Sequence, residues 1–149
     1  MDYTQVITAL AAKYDPSAIT PPPGQPQIRI ATALAPNNIP ATPFLLVEPD
    51  KGTFVNNPGR RMGQHDFFVR LYLSKSVGDQ KRELTSIYAW LTVLFDALNT
   101  GSKLGLAPLV MKALMTNYLV AVFNYAGDEY DGIELNVSVW TEEAVQITP

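Results

Sequence analysis

One stretch constrains this chain more than any other. From His65 to Ser74, Phe67, Val69, Leu71 and Leu73 alternate with Phe68, Arg70 and Tyr72. A period of two is the signature of a β-strand, because successive side chains leave opposite faces. The first set is wholly apolar and is expected to meet a core. The second is aromatic around one charge, and is expected to be partly exposed or covered by a neighbour.

The last third repeats the pattern. Tyr118, Val120 and Val122 alternate with Leu119, Ala121 and Phe123. With both faces apolar, Leu114–Tyr125 reads as a central strand. Ala126-Gly127-Asp128-Glu129 is a turn signal. Beyond it, Ile133, Leu135, Val137 and Val139 face one way, and Glu134, Asn136, Ser138 and Trp140 the other. The pair is expected to form a long antiparallel hairpin. Earlier, Gln27–Ala33 reads as a short strand with Ile28 and Ile30 on one face, and Pro43–Glu48 as a better-buried one. Residues 48–64, rich in Gly, Asn, Pro and Arg, read as an exposed loop or long hairpin. Leu104–Ala113 fits a short helix or a loop.

Two segments have helical spacing. Tyr3, Val6, Ile7, Leu10 and Tyr14 form a stripe over residues 2–14, with Asp2 as cap and Asp15-Pro16 as stop. Leu84, Ile87, Tyr88, Leu91, Phe95 and Leu98 form a second, entered at Asp79 and closed by Asn99-Thr100-Gly101. Between the first helix and the first strand, Thr20–Pro26 is a stiff Pro-rich connector. The expected fold is α+β: an antiparallel sheet of four to five strands, a long amphipathic helix packed on one face, and an N-terminal helix. One domain is expected over residues 1–149, since roughly 100–200 residues per domain is usual.

Composition removes several kinds of chemistry. With no Cys and one His among 149 residues, thiolate sites, disulfides and all-His metal sites within one chain are excluded. His65 and Asp66 are adjacent in a strand and point apart, so they make no dyad. Asp128, Glu129, Asp131 and Glu134 cluster at a turn without the spacing of a calcium loop. Gly59–Gly63 lacks the Lys and the helix of a phosphate cradle. No catalytic residue, cofactor or metal is expected. A small enzyme or ligand-binding domain would need a pocket of convergent polar groups, with His65 its first candidate. The N-terminal Met1–Gln5 has neither a basic region nor an apolar run, so no signal peptide is expected. Leu104–Met111 is too short for a membrane span.

Charge is small in total and uneven in place. Eleven Lys+Arg against fourteen Asp+Glu give a net charge of -3, which disfavours a protein built to grip nucleic acid. Arg60, Arg61, Arg70, Lys75, Lys81 and Arg82 make the middle basic, whereas residues 113–149 hold six acids and no base. Such segregation suits either a solvated surface or two complementary surfaces, the basic middle of one subunit meeting the acidic hairpin of the next. Head-to-tail contacts of that kind generate rings. The candidate partner-binding residues are Arg60, Arg61 and Arg70 for charge. Phe68, Tyr72 and Trp140 join them, because aromatics are enriched at interface cores.

The strand Phe67–Leu73, the helical Ile87-Tyr88-Ala89-Trp90-Leu91, Tyr118–Ala126, and the strand Gly132–Val139 together resemble the tail terminator and neck proteins of tailed bacteriophages. The resemblance covers residues 1–141 in layout and mainly 65–141 in residue detail. It implies an α+β subunit of a homo-oligomeric ring, usually a hexamer. Such a ring caps the tail tube at its head-proximal end and joins it to the head connector, with DNA passing through its lumen. The implied partners are further copies, the tail tube protein and the head-connector or neck proteins. The implied location is the virion, assembled in the host cytoplasm. No catalytic residues are carried over. Another neck, adaptor or tail-tube-like subunit remains open as an alternative.

Overall fold

Four strands of this protein are two to three times longer than the usual five or six residues. The computed structural model describes residues 3–76, 84–99 and 103–145. In chain order the elements are α1 (Thr4–Ala12), β1 (Ile30–Thr32), β2 (Phe44–Asn57), β3 (Arg60–Lys75), α2 (Leu84–Asn99), β4 (Val110–Tyr125) and β5 (Asp128–Ala144). They form one five-stranded sheet in the order β1-β2-β3-β5-β4. The β1–β2 pair is parallel and the other three pairs are antiparallel.

This corrects the expected fold class. The chain is mostly sheet, at 50% strand and 18% helix, with two short helices and a mixed sheet. An antiparallel sheet carrying a long amphipathic helix is not what forms. Residues 50–64 explain much of the difference, because they continue β2, turn at Pro58-Gly59 and return as β3. Their side chains are largely exposed, so no apolar alternation marks them, while the backbone ladder is complete from Gly52–His65 to Asn57–Arg60. A ladder needs paired N–H and C=O groups, and these are independent of side-chain polarity.

The main core lies between one face of the sheet and the helices. Leu45, Val47, Phe67, Val69, Leu71, Ile133, Leu135, Val137 and Val139 supply the sheet side. Val6 and Leu10 from α1, Tyr14 beyond it, and Ile87, Trp90, Leu94 and Leu98 from α2 close over them. The stripe that α2 buries is therefore rotated from the expected one. Trp90 and Leu94 are fully buried, whereas Tyr88 and Phe95 are about half exposed. Asp2, Asp79, Lys81, Arg82, Thr100 and Gly101 lie outside the described residues.

The second face of the sheet is half covered. Phe44, Leu46, Tyr72 and Tyr130 make a smaller core with Ile39, Phe123 and Tyr125. The chain between β1 and β2 runs across this face, and the Tyr125 hydroxyl donates to the Pro36 carbonyl. The expected strand at Gln27–Ala33 shortens to Ile30–Thr32. Gln27 is drawn out of the ladder because its Nε2 donates to the Ile19 carbonyl at 2.6 Å and the Pro16 carbonyl at 3.0 Å. Ile28 is then buried while Ile30 is exposed, so the two do not share an environment.

The largest topological correction concerns β4. It was expected to be central and is an edge strand. Its helix-side residues reach toward α2. The apolar side chains that burial on both sides would have hidden stay in solvent: Met111, Leu114, Tyr118 and Leu119 are 43–52% exposed. Residues 103–109 are turns that lead into it, and no short helix forms there.

Candidate functional site

The bases of β3 and the acids of β5 lie on neighbouring antiparallel strands, and the register sets them side by side. Arg60 pairs with Glu142 at 2.8 Å, Arg61 with Glu143 at 3.4 Å, Arg70 with Glu134 at 2.5 Å and Lys75 with Asp128 at 3.5 Å. Arg70 also reaches Glu48 at 3.4 Å, and its guanidinium lies 5.2 Å from the Phe68 ring centre and 5.8 Å from that of Phe123. The partners expected from a neighbouring subunit are thus supplied inside the chain. Asp128 and Glu134 of the acidic turn are held in these pairs, and among the described residues no three His, Asp or Glu side chains gather as a metal site.

The three candidate aromatics have separate places. Tyr72 is 1% exposed and meets Phe123, Tyr125 and Tyr130 edge-on, at centroid distances of 5.5–6.4 Å. It is a core residue of the second sheet face and unavailable to a partner. Phe68 is half-buried beneath Arg70. Trp140 is half-buried with the Lys112 ammonium 4.5 Å above its ring. Register places Trp140 beside Gln64, with Met62 and Val55 in the adjoining rows. These residues line the uncovered half of the second face, where a groove of about 380 Å³ holds Val55, Met62, Met111, Lys112 and Trp140.

His65 sits on the other face, at the start of α1. Its Nε2 is 3.0 Å from Thr141 Oγ1, and its ring packs 5.0 Å from Tyr3 and 5.3 Å from Phe54. The Tyr3 hydroxyl donates to Glu143 at 2.6 Å. Burial, reinforced by Glu143, pushes that hydroxyl up to about 12. Burial also holds the His65 imidazole below its ordinary value, outweighing Asp66 and Glu143. Asp66 projects away and accepts from Ser138 Oγ at 2.6 Å, so the two neighbours form no dyad, as their spacing implies. Thr141 and His65 are placed like a hydroxyl nucleophile and its base, but Thr141 is only 2% exposed and out of reach of a substrate. What this cluster does is tie α1 to the distal hairpin.

The surface that sequence reasoning missed is the free flank of β4. Met115 and Tyr118 face α2, and with Leu91 and Phe95 they line a groove of about 360 Å³. Tyr88 extends it, its ring edge-on to Tyr118 at 6.2 Å. From Val110 to Tyr125 the strand carries one charge, Lys112, and no proline. Natural edge strands are usually blunted by charge, proline, bulges or a covering segment. β4 has bulges at Met111 and Thr116 and then runs unbroken from Asn117 to Tyr125. A signal was present. Ile87, Tyr88, Trp90, Leu91, Leu94, Phe95 and Leu98 are apolar around more of α2 than one packing stripe of roughly 100° requires.

In chemical terms the described residues offer an apolar edge strand flanked by two shallow grooves, with Arg60, Arg61, Arg70 and Lys75 already paired within the chain. No helix among the described residues is long and apolar enough to cross a membrane. A scan of protein-family models matches none, and a search of curated proteins finds no significant match.

Proposed function

We propose that this chain is a structural subunit of a tailed-bacteriophage neck. It forms a ring at the head-proximal end of the tail, ends the tail tube, joins it to the head connector and lets DNA pass through its lumen. The observation that carries this reading is β4, a long edge strand whose apolar side chains stay in solvent beside an equally exposed flank of α2. A cluster of exposed apolar side chains on a free strand edge suits a protein–protein contact. The residue pattern of Phe67–Leu73, Ile87–Leu91, Tyr118–Ala126 and Gly132–Val139 points to the class of assembly.

The charge distribution supports a conduit. A lumen that DNA must traverse works best with few free cations, since each neutralised phosphate adds affinity through counterion release. Here Arg60, Arg61, Arg70 and Lys75 each meet a carboxylate of the same chain. The reading assigns the protein no catalysis and no cofactor. Its partners are further copies of itself, a hexamer in the family it resembles, then the tail tube protein and the neck proteins above it.

Mass spectrometry of purified virions of the encoding phage, with electron microscopy of the isolated protein, tests the proposal. The chain is expected in virions at a few copies per particle, and as rings when concentrated. Absence from virions would overturn the reading.

A further inference from the structure

We propose that the open edge of β4 in one copy pairs with the open distal edge of β2, Gly52–Asn57, in the next copy. The sheet then continues head to tail from subunit to subunit. This inference rests on the ring reading above and names the contact that builds the ring.

Among the described residues the sheet has two open ends. At one end lies β4. At the other, β1 pairs only with Phe44–Leu46, and among the described residues no strand flanks β2 beyond Leu46. Pro49 and the bulge before Gly52 interrupt this second edge, which leaves Gly52–Asn57 as its regular part. Phe54 and Val55 project from it at 48% and 59% exposure.

The two edges match in height. Phe54, Gly63, Thr141 and Val110 make one row across the sheet, and Thr53, Gln64, Trp140 and Lys112 make another. A neighbour displaced sideways therefore brings its Gly52, Thr53 and Phe54 level with Ala113, Lys112 and Val110 at the start of β4, and its Val55–Asn57 level with the turn that leads into β4. The directions match too. Three successive antiparallel pairings make β4 antiparallel to β2, so a neighbour rotated about an axis along the strands presents an antiparallel ladder, the more stable kind.

The side chains agree with this pairing. β4 contributes apolar groups and one base, Lys112; the β2 edge contributes Phe54 and Val55 and no charge within Gly52–Asn57, so the agreement is apolar. A symmetric β4–β4 contact would cover one edge and leave Phe54, Val55 and the β2 backbone open in every copy. The head-to-tail contact instead engages a part of both edges, the start of β4 and Gly52–Phe54 of β2, and head-to-tail contacts are the ones that close rings.

Two blocked variants test it. M111K/L114K spoils the β4 edge, and T53K/V55K spoils the β2 edge; all four positions lie at the surface side of their strands, and circular dichroism confirms folding. Native mass spectrometry is expected to show a wild-type ring, each variant alone as monomer, and an equimolar mixture as a one-to-one heterodimer through the single intact pair of edges. A T53K/V55K protein that assembles as well as wild type would overturn the inference. If the two variants both assemble, another surface builds the ring, and the ring reading survives without this contact. A wild-type protein that is monomeric at all concentrations and missing from virions removes both. Because the chain has no Cys, a T53C/K112C protein gives an independent check. Within one copy these positions are three strand spacings apart, about 14 Å, too far for a disulfide. Oxidation is expected to give a covalent ladder of oligomers, and a product that remains monomeric would contradict the contact.

Discussion

Arg70 Nε donates to Glu134 Oε2 at 2.5 Å across the β3–β5 ladder, joining the basic middle of the chain to its acidic end within one molecule. Both side chains are mostly shielded from solvent, at 29% and 15% exposure. Charge-assisted pairs of this kind are worth more than exposed ones. Arg70→Met is expected to cost about 1–3 kcal/mol in urea unfolding. Arg60 is far more exposed, so Arg60→Glu should cost less than about 1 kcal/mol. Because Arg60 and Arg61 pair inside the chain, reversing both is expected to leave assembly nearly unchanged by light scattering.

The rotation of α2 separates its two flanks energetically. Leu94 is fully buried in the main core, and Leu94→Ala should cost about 2–5 kcal/mol. Leu91 is only partly buried and lines the groove beside β4, so Leu91→Ala should cost less than Leu94→Ala. Phe95→Ala should change the monomer by under about 1 kcal/mol while weakening assembly. Thermal unfolding and sedimentation on the same samples separate the two effects.

Gly132, inside β5, has a packing reason. A Cβ built there would lie 2.3 Å from the Leu71 carbonyl oxygen and 3.3 Å from the Phe123 ring. The first obstacle is backbone and has little room to yield. Gly132→Ala is expected to destabilise by about 1–3 kcal/mol, measured by denaturant titration.

His65 makes stability depend on acidity. Burial holds its folded pKa below the ordinary 6.5, so the unfolded chain takes up the proton first. Its contribution is complete above about pH 6.5 and is lost as pH falls through that value toward the lowered folded one. His65→Gln should flatten the pH dependence of the unfolding midpoint between about pH 7 and 5. A variant with the wild-type slope would assign that dependence to the carboxylates.

Strands were legible where burial imposes alternation. Phe67, Val69 and Leu71 in β3, and Ile133 to Val139 in β5, are the residues that close the main core. The distal hairpin reads equally as an exposed loop or a long hairpin, because a solvated ladder is held by backbone groups that leave no apolar period. The edge position of β4 was not legible either. Alternation reports how apolar each face is, and what lies beside the strand is a matter of topology. Among the candidate site residues, Tyr72 misled for a related reason: the rings that cover it, Phe123, Tyr125 and Tyr130, are far away in sequence. The segregation of charge was visible in the order of residues. That its two halves meet within one chain depends on β3 lying next to β5, which no local pattern encodes.

A cryo-electron microscopy reconstruction of a phage virion whose genome carries this sequence, as the proposed function requires, tests the central claim most directly. It is expected to show this chain as a closed ring on the head-proximal end of the tail tube, with β4 of each copy against the β2–β3 hairpin of the next. A neck in which this chain is absent, or occurs as isolated copies with β4 in solvent, would contradict the account.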